Sequence, residues 1–219
     1  MTNAVWHPGF GQELKFDAQP LSDNPAEQVG ETISLMAKYV REDAGTPELR
    51  RDLEEALALR PDLDAIDATY WYVKQKLGFL RDEDQARPLA GYVNGDVIAV
   101  LIRPVDMSEL CRDGKCRRTG DCDDYSMYAA ALLRTAGVDV KFATVKADPF
   151  QPDRDSHVYV VAYCKRRGRM PLDVSHGLYP GWEVDARERT EWGIGVSPLW
   201  IVAAAALVAY LVFGRRRKT

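Results

Sequence analysis

Residues 193–214 run for 22 positions without a charged side chain, and Arg215, Arg216, Arg217 and Lys218 follow at once. A helix rising about 1.5 Å per residue would carry that stretch across roughly 33 Å, enough for the hydrocarbon layer of a bilayer. Trp200 and Tyr210 suit the two interfaces, and the four cations suit anionic headgroups. The alternative is a buried C-terminal core helix. It fits poorly with a segment that is apolar all round and followed directly by cations. The expectation is therefore a single membrane-spanning helix over 191–214, a basic tail over 215–219 and a globular body before them. The side of the membrane stays open. The basic tail argues for a cytoplasmic C-terminus, whereas the first sixteen residues have neither a basic start nor an apolar run, so no signal peptide is expected.

Apart from the four terminal cations, 25 Lys and Arg stand against 33 Asp and Glu. A body that acidic is a poor match for a phosphate backbone, so nucleic acid is not an expected partner. With 46% hydrophobic residues and 4 Cys in 219, the chain is neither low-complexity nor a disulfide-dense mini-protein, and it is long enough to bury a proper core. No second apolar stretch supports a multi-pass protein, and no internal repeat is evident.

Residues 1–25 carry Pro8, Gly9, Gly11, Pro20 and Pro25 without a sustained period and are expected to be an extended lead-in. Val29, Ile33, Met36 and Val40 recur at helical spacing over 26–43, closed by Gly45. Thr46-Pro47 begins a second helix that runs to Leu59 and stops at Pro61. From Asp62 onward, Leu63, Ile66, Tyr70, Val73, Leu77 and Leu80 step by three and four. That predicts one helix of about five turns with a core-facing stripe, too short for a convincing coiled-coil seam. Residues 97–102 predict a short strand ended by Arg103-Pro104. A helix is expected over 122–136, with Gly137 suited to a left-handed position after it. Strands follow over 139–146, 157–164 and 170–174, the last two joined by a basic turn at 165–169. One helix followed by hairpin-linked strands indicates an α+β domain with an antiparallel sheet, spanning 26–190.

Cys122 falls in the first turn of the predicted helix, where unpaired backbone N–H groups and the helix dipole favour a thiolate. Asp121 suits the cap, and Asp123 and Asp124 suit the first turn, but their charges would raise the thiol pKa. A base that takes the thiol proton and returns it to a leaving amine is then required. His157, at the start of a strand, is the best candidate. Asp173, on the return strand of the same hairpin, is the candidate to orient it, although cross-strand parity is open at this level. Each also has a plainer reading: a small buried cysteine, a half-exposed strand histidine, an aspartate that ends a strand. His176 is a rival base and His7 a remote one.

The segments GDCDDYSMYAAALLRTAG, HVYVVAY and MPLDVS resemble the core of the transglutaminase-like superfamily, in its bacterial and phage-type cysteine peptidase branch. The resemblance implies a papain-like α+β fold with a helical N-terminal part. It also implies a catalytic triad carried over onto Cys122, His157 and Asp173, with no metal and no organic cofactor. The family often places an oxyanion donor upstream of the cysteine. Here 112–119 offers no Trp or Gln, leaving Gln85, Asn94 or the Cys122 N–H. The expected activity is attack of Cys122 on an amide of a protein or peptide substrate through a thioester. Hydrolysis is favoured over transamidation because water needs no second site. The alternative is a catalytically silent scaffold or (pro)phage assembly protein with the same fold.

Cys111 and Cys116 enclose CRDGKC and could pair in an oxidising compartment, or could join Cys122 and Cys164 around zinc, although the spacing matches no familiar knuckle. Free thiols are the favoured reading.

Overall fold

The computed structural model describes residues 4–6, 14–16, 22, 24–82, 84, 100–109 and 118–195. Within the lead-in, β1 (Ala4–Trp6) pairs antiparallel with β2 (Leu14–Phe16). Three helices follow. In α1 (Pro25–Asp43) the expected stripe is buried at Ile33, Met36 and Val40. Helix α2 (Pro47–Leu59) starts on proline, whose missing N–H costs nothing at a first turn, and buries Leu49, Leu53 and Ala56. In α3 (Ala65–Lys76) the Asp64 side chain accepts from the N–H groups of Ile66 and Asp67.

The α3 stripe ends earlier than its spacing predicts. Leu77 to Phe79 leave the helix as β3 (Leu77–Phe79), which pairs parallel with β4 (Arg118–Gly120). Leu80 N–H continues this pairing by donating to the Gly120 carbonyl at 2.9 Å. Residues 100–102 are irregular rather than a strand, because Ile102 N–H is taken by the Asp124 carboxylate instead of a ladder. Residues 97–99 lie outside the described residues. A short helix, α4 (Pro104–Glu109), precedes β4.

Helix α5 (Cys122–Thr135) is the axis of the fold. It packs on α1, α2 and α3 on one side and on β5 and β6 on the other. Met127 through Leu133 are fully buried, and Ala129, Ala130 and Ala131 let the neighbours approach closely. Gly137 closes it at φ +78°, the left-handed conformation expected there.

Four antiparallel strands form the sheet, in the order β7–β6–β5–β8. They are β5 (Asp139–Val145), β6 (His157–Cys164), β7 (Gly168–Leu172) and β8 (Arg189–Gly193). One face carries Val140, Phe142, Val158, Val160 and Ala162 into the main core beneath α5. Tyr159, Val161, Ala143 and Val145 build a smaller cluster with Val184 and Ala186. The mixed α+β class is as expected, with two further corrections in the sheet. Strand β7 starts and ends two residues earlier than 170–174, leaving Asp173 in the turn after it. Strand β8 takes Glu191, Trp192 and Gly193, which the sequence assigned to the start of the apolar span.

Two contacts fix that edge: Trp192 Nε1 donates to Thr144 Oγ1 at 3.0 Å, and Arg41 Nη1 donates to the Ile194 carbonyl at 2.6 Å. Ile194 is itself buried in the core. The rest of the apolar span and the basic tail lie outside the described residues. Among the described residues, no helix is long and apolar enough to cross a membrane.

Candidate active site

The start of α5 is held by a reciprocal cap. Asp121 accepts from Asp123 N–H at 3.0 Å, and Asp124 Oδ2 accepts from Asp121 N–H at 3.4 Å. Asp124 Oδ1 accepts from Ile102 N–H at 2.7 Å, so one buried carboxylate ties the helix start to the preceding loop. Gly120 makes room for it, because a Cβ there would sit 2.5 Å from Asp124 Cβ. Further along, Ser126 Oγ donates to the Val158 carbonyl at 3.2 Å. The start of α5 is thereby set against the first residues of β6. The Val158 backbone also acts on the Cys122 thiol, favouring its ionised form.

His157 Nε2 and Asp173 Oδ2 are 2.8 Å apart, and their side chains are only 8% and 0% exposed, so the contact is made out of water. The strand register settles the parity that the sequence left open. Val160 pairs with Leu172 and Val161 with Pro171, so one further step places Asp173 opposite Tyr159, two residues from His157. Such diagonal neighbours lie within reach of each other.

Asp173 is held on its other oxygen as well. Oδ1 accepts from His176 N–H at 2.9 Å and from Ser175 Oγ at 3.2 Å. Burial works against ionisation of this carboxyl, but the bonds from His157 and His176 N–H outweigh it and hold the pKa below the usual range. The turn itself is tight. Gly177 N–H donates to the Asp173 carbonyl at 2.7 Å, and a Cβ on Gly177 would meet that oxygen at 2.3 Å. From α3, Lys74 Nζ closes the turn by donating to the Gly177 carbonyl at 2.6 Å. His176, the rival base, lies edge-on to His157 with ring centroids 4.7 Å apart, and 5.3 Å from Phe79.

Around the sulfur the ionisable neighbours are carboxyl groups. Cys122 Sγ lies 3.7 Å from Asp123 Oδ1. Burial pushes the thiol pKa well above its ordinary value, Asp123, Asp121 and Asp82 push it further, and the Val158 backbone opposes them. The carboxyls respond in kind. Burial and Asp121 raise Asp123 to about 7, and burial with Asp121, Asp123 and Asp124 raises Asp82 to about 10. The resting cysteine is a thiol, so nucleophilic chemistry here needs proton removal during attack rather than a preformed thiolate.

Ser175, Lys74 and Asp82 were not singled out in the sequence. The run Asp173-Val174-Ser175-His176 carries a usable signal for Ser175, since an aspartate followed by such side chains often folds into a self-bonded turn. Lys74 and Asp82 arrive from distant elements, and no local pattern marks them. Cys122 and Cys164 are free thiols. Among the described residues, two groups have metal-ligand geometry, His157 with Asp173 and His176, and Asp121 with Cys122 and Asp123; Cys164 is in neither. Cys111, Cys116, His7, Gln85 and Asn94 lie outside the described residues, and with them the proposed disulfide and the four-cysteine zinc site.

No family model matches the chain, and no curated protein matches it. Among solved structures, it is similar to a Cytophaga hutchinsonii protein described as a candidate cysteine protease, at 15% identity and a TM-score of 0.37. The match covers 66% of this chain and 47% of that one, so the chain spans about half the length of that protein.

Proposed function

We propose that the chain is a transglutaminase-like thiol enzyme acting on amide bonds of a protein or peptide, with hydrolysis as the favoured outcome. The observation that carries this reading is the buried 2.8 Å contact between His157 Nε2 and Asp173 Oδ2, at the end of β6 against which Ser126 of α5 is hydrogen-bonded. With Nε2 committed to the carboxylate, the neutral ring keeps Nδ1 as its acceptor. The thiol proton passes to that nitrogen as sulfur bonds to the amide carbonyl carbon. The oxyanion forms beside the Cys122 N–H at the positive end of α5. Collapse breaks the C–N bond, and the amine leaves with the proton from His157. Water, deprotonated by the same ring, then hydrolyses the thioester and regenerates the thiol.

A silent scaffold is the second reading, favoured by the carboxylates that oppose thiolate formation around Cys122. The two are separated by trapping. The full chain, incubated with an activated acyl ester and quenched in acid, should show by mass spectrometry an acyl group on Cys122 that hydroxylamine removes at neutral pH. Acylation absent from Cys122, or unaffected by Cys122→Ser, contradicts the enzyme reading.

The enzyme is further proposed to be anchored through residues 196–214, uncharged and followed by four cations. The full chain should stay in the membrane pellet after alkaline carbonate extraction. Release into the supernatant overturns the anchor without bearing on the chemistry.

A further inference from the structure

Donor counting around Asp173 fixes more than its contact with His157. The Ser175 hydroxyl has a single hydrogen, and it donates to Asp173 Oδ1. The 2.9 Å contact between Ser175 Oγ and His176 Nδ1 is therefore made by a ring Nδ1–H donating to the hydroxyl oxygen. His176 grips the same carboxylate a second time through its backbone N–H. Both bonds converge on Oδ1 and leave Oδ2 to His157 Nε2. The His176 ring is held in turn by its edge contacts with His157 and Phe79, and Lys74 braces the turn from α3.

We propose that His176 and Ser175 are positioning residues of this site: the His176 Nδ1–H, relayed through the Ser175 hydroxyl, sets the Asp173 carboxylate so that His157 is held with Nδ1 facing the thiol. The inference rests on the reading of Cys122 and His157 as nucleophile and base. No proton moves along the relay. Its role is orientation, because an Asp173 free to rotate lets the imidazole adopt the other tautomer, which has no lone pair for the thiol proton. One such bond, worth about 1 kcal/mol, corresponds to about a five-fold change in rate.

Two substitutions in the full chain divide what the His176 ring does. His176→Asn places an amide N–H near the position of Nδ1–H and so keeps the bond to Ser175 without the ring. His176→Phe keeps the ring packing without the donor. Alkylation of Cys122 by iodoacetamide at pH 7.5 should stay within about twofold of the parent in His176→Asn and fall about five-fold in His176→Phe and in Ser175→Ala. In the unsubstituted chain, nitrogen NMR of the neutral imidazoles should find His176 as the Nδ1–H tautomer and His157 as the Nε2–H tautomer. A His176 Nε2–H tautomer overturns the relay, as does a His176→Phe chain as reactive as the parent or a His176→Asn chain as slow as His176→Phe. The tautomers are read without any reactivity, so the relay can stand or fall separately from the assignment of nucleophile and base.

Discussion

His157→Ala should slow the alkylation of Cys122 by iodoacetamide at pH 7 by about 100-fold or more, the lower end of what a positioned base contributes. The size follows from the charges around the sulfur. Burial, then Asp123, Asp121 and Asp82, hold the thiol pKa well above its ordinary value, so the spontaneous thiolate population near neutrality is very small. Reactivity at that pH must come from proton transfer to a neighbouring base. On the proposed reading that base is His157, whose Nε2 is bonded to Asp173 in the buried pair.

The pH profile carries the same information with a sign. In the parent chain a His157-dependent rate should persist as a plateau near neutrality, and the rate should climb in alkali as the thiol itself ionises. His157→Ala should erase the plateau and keep only the alkaline climb. Asp123→Asn, which removes the carboxylate 3.7 Å from the sulfur, should move that climb toward lower pH and raise the His157-independent rate about tenfold. Identical profiles for the parent and His157→Ala would mean that the imidazole does not serve the sulfur, and the catalytic reading would end there.

How far the sequence led to this site depends on the range of the interaction involved. Helix α2 was bounded by local chemistry, with Pro47 at its start and Pro61 beyond its end, and β6 declared itself through alternation and β-branched residues. That Cys122 opens a helix and His157 opens a strand was legible, because both are local features, whereas Asp173 falls in the turn after β7 rather than on the return strand. The parity of His157 and Asp173 was not legible, since register depends on which residue of β7 meets which of β6. Two elements were misassigned for the same reason. Leu77 and Leu80 continue the helical stripe in sequence, yet the chain leaves α3 after Lys76 to pair with Arg118–Gly120, a partner that no window around Leu77 contains. Trp192 and Gly193 border the apolar run, and only pairing with β5 shows that they belong to the sheet. The clamp from Lys74 onto the Asp173–Gly177 turn is of this long-range kind too.

Asp124→Ala should be among the most damaging single changes to stability, costing roughly 3–5 kcal/mol. Asp124 is fully buried and was read in the sequence only as a helix-start charge, yet it accepts from two backbone donors. Truncation leaves the Ile102 N–H without its acceptor in a buried position, a penalty of about 1–3 kcal/mol. It also removes the second half of the capping box at Asp121, adding about 1 kcal/mol, and opens a void beside Gly120, whose missing side chain exists to admit this carboxylate. For a chain of this size the sum corresponds to a melting temperature lower by about 10 °C. Asp124→Asn retains an oxygen for Ile102 but turns an amide donor toward the Asp121 N–H, so about half the loss is expected. Calorimetric melting of the full chain in detergent, with both variants, measures this directly. A loss within about 1 kcal/mol for Asp124→Ala would mean that the loop before α4 and the start of α5 are not joined through this carboxylate. The same variant bears on chemistry, because the cap that Asp124 completes begins the helix at Cys122. A frayed first turn displaces Cys122 from the place that the cap gives it, so reactivity of Cys122 should fall together with stability.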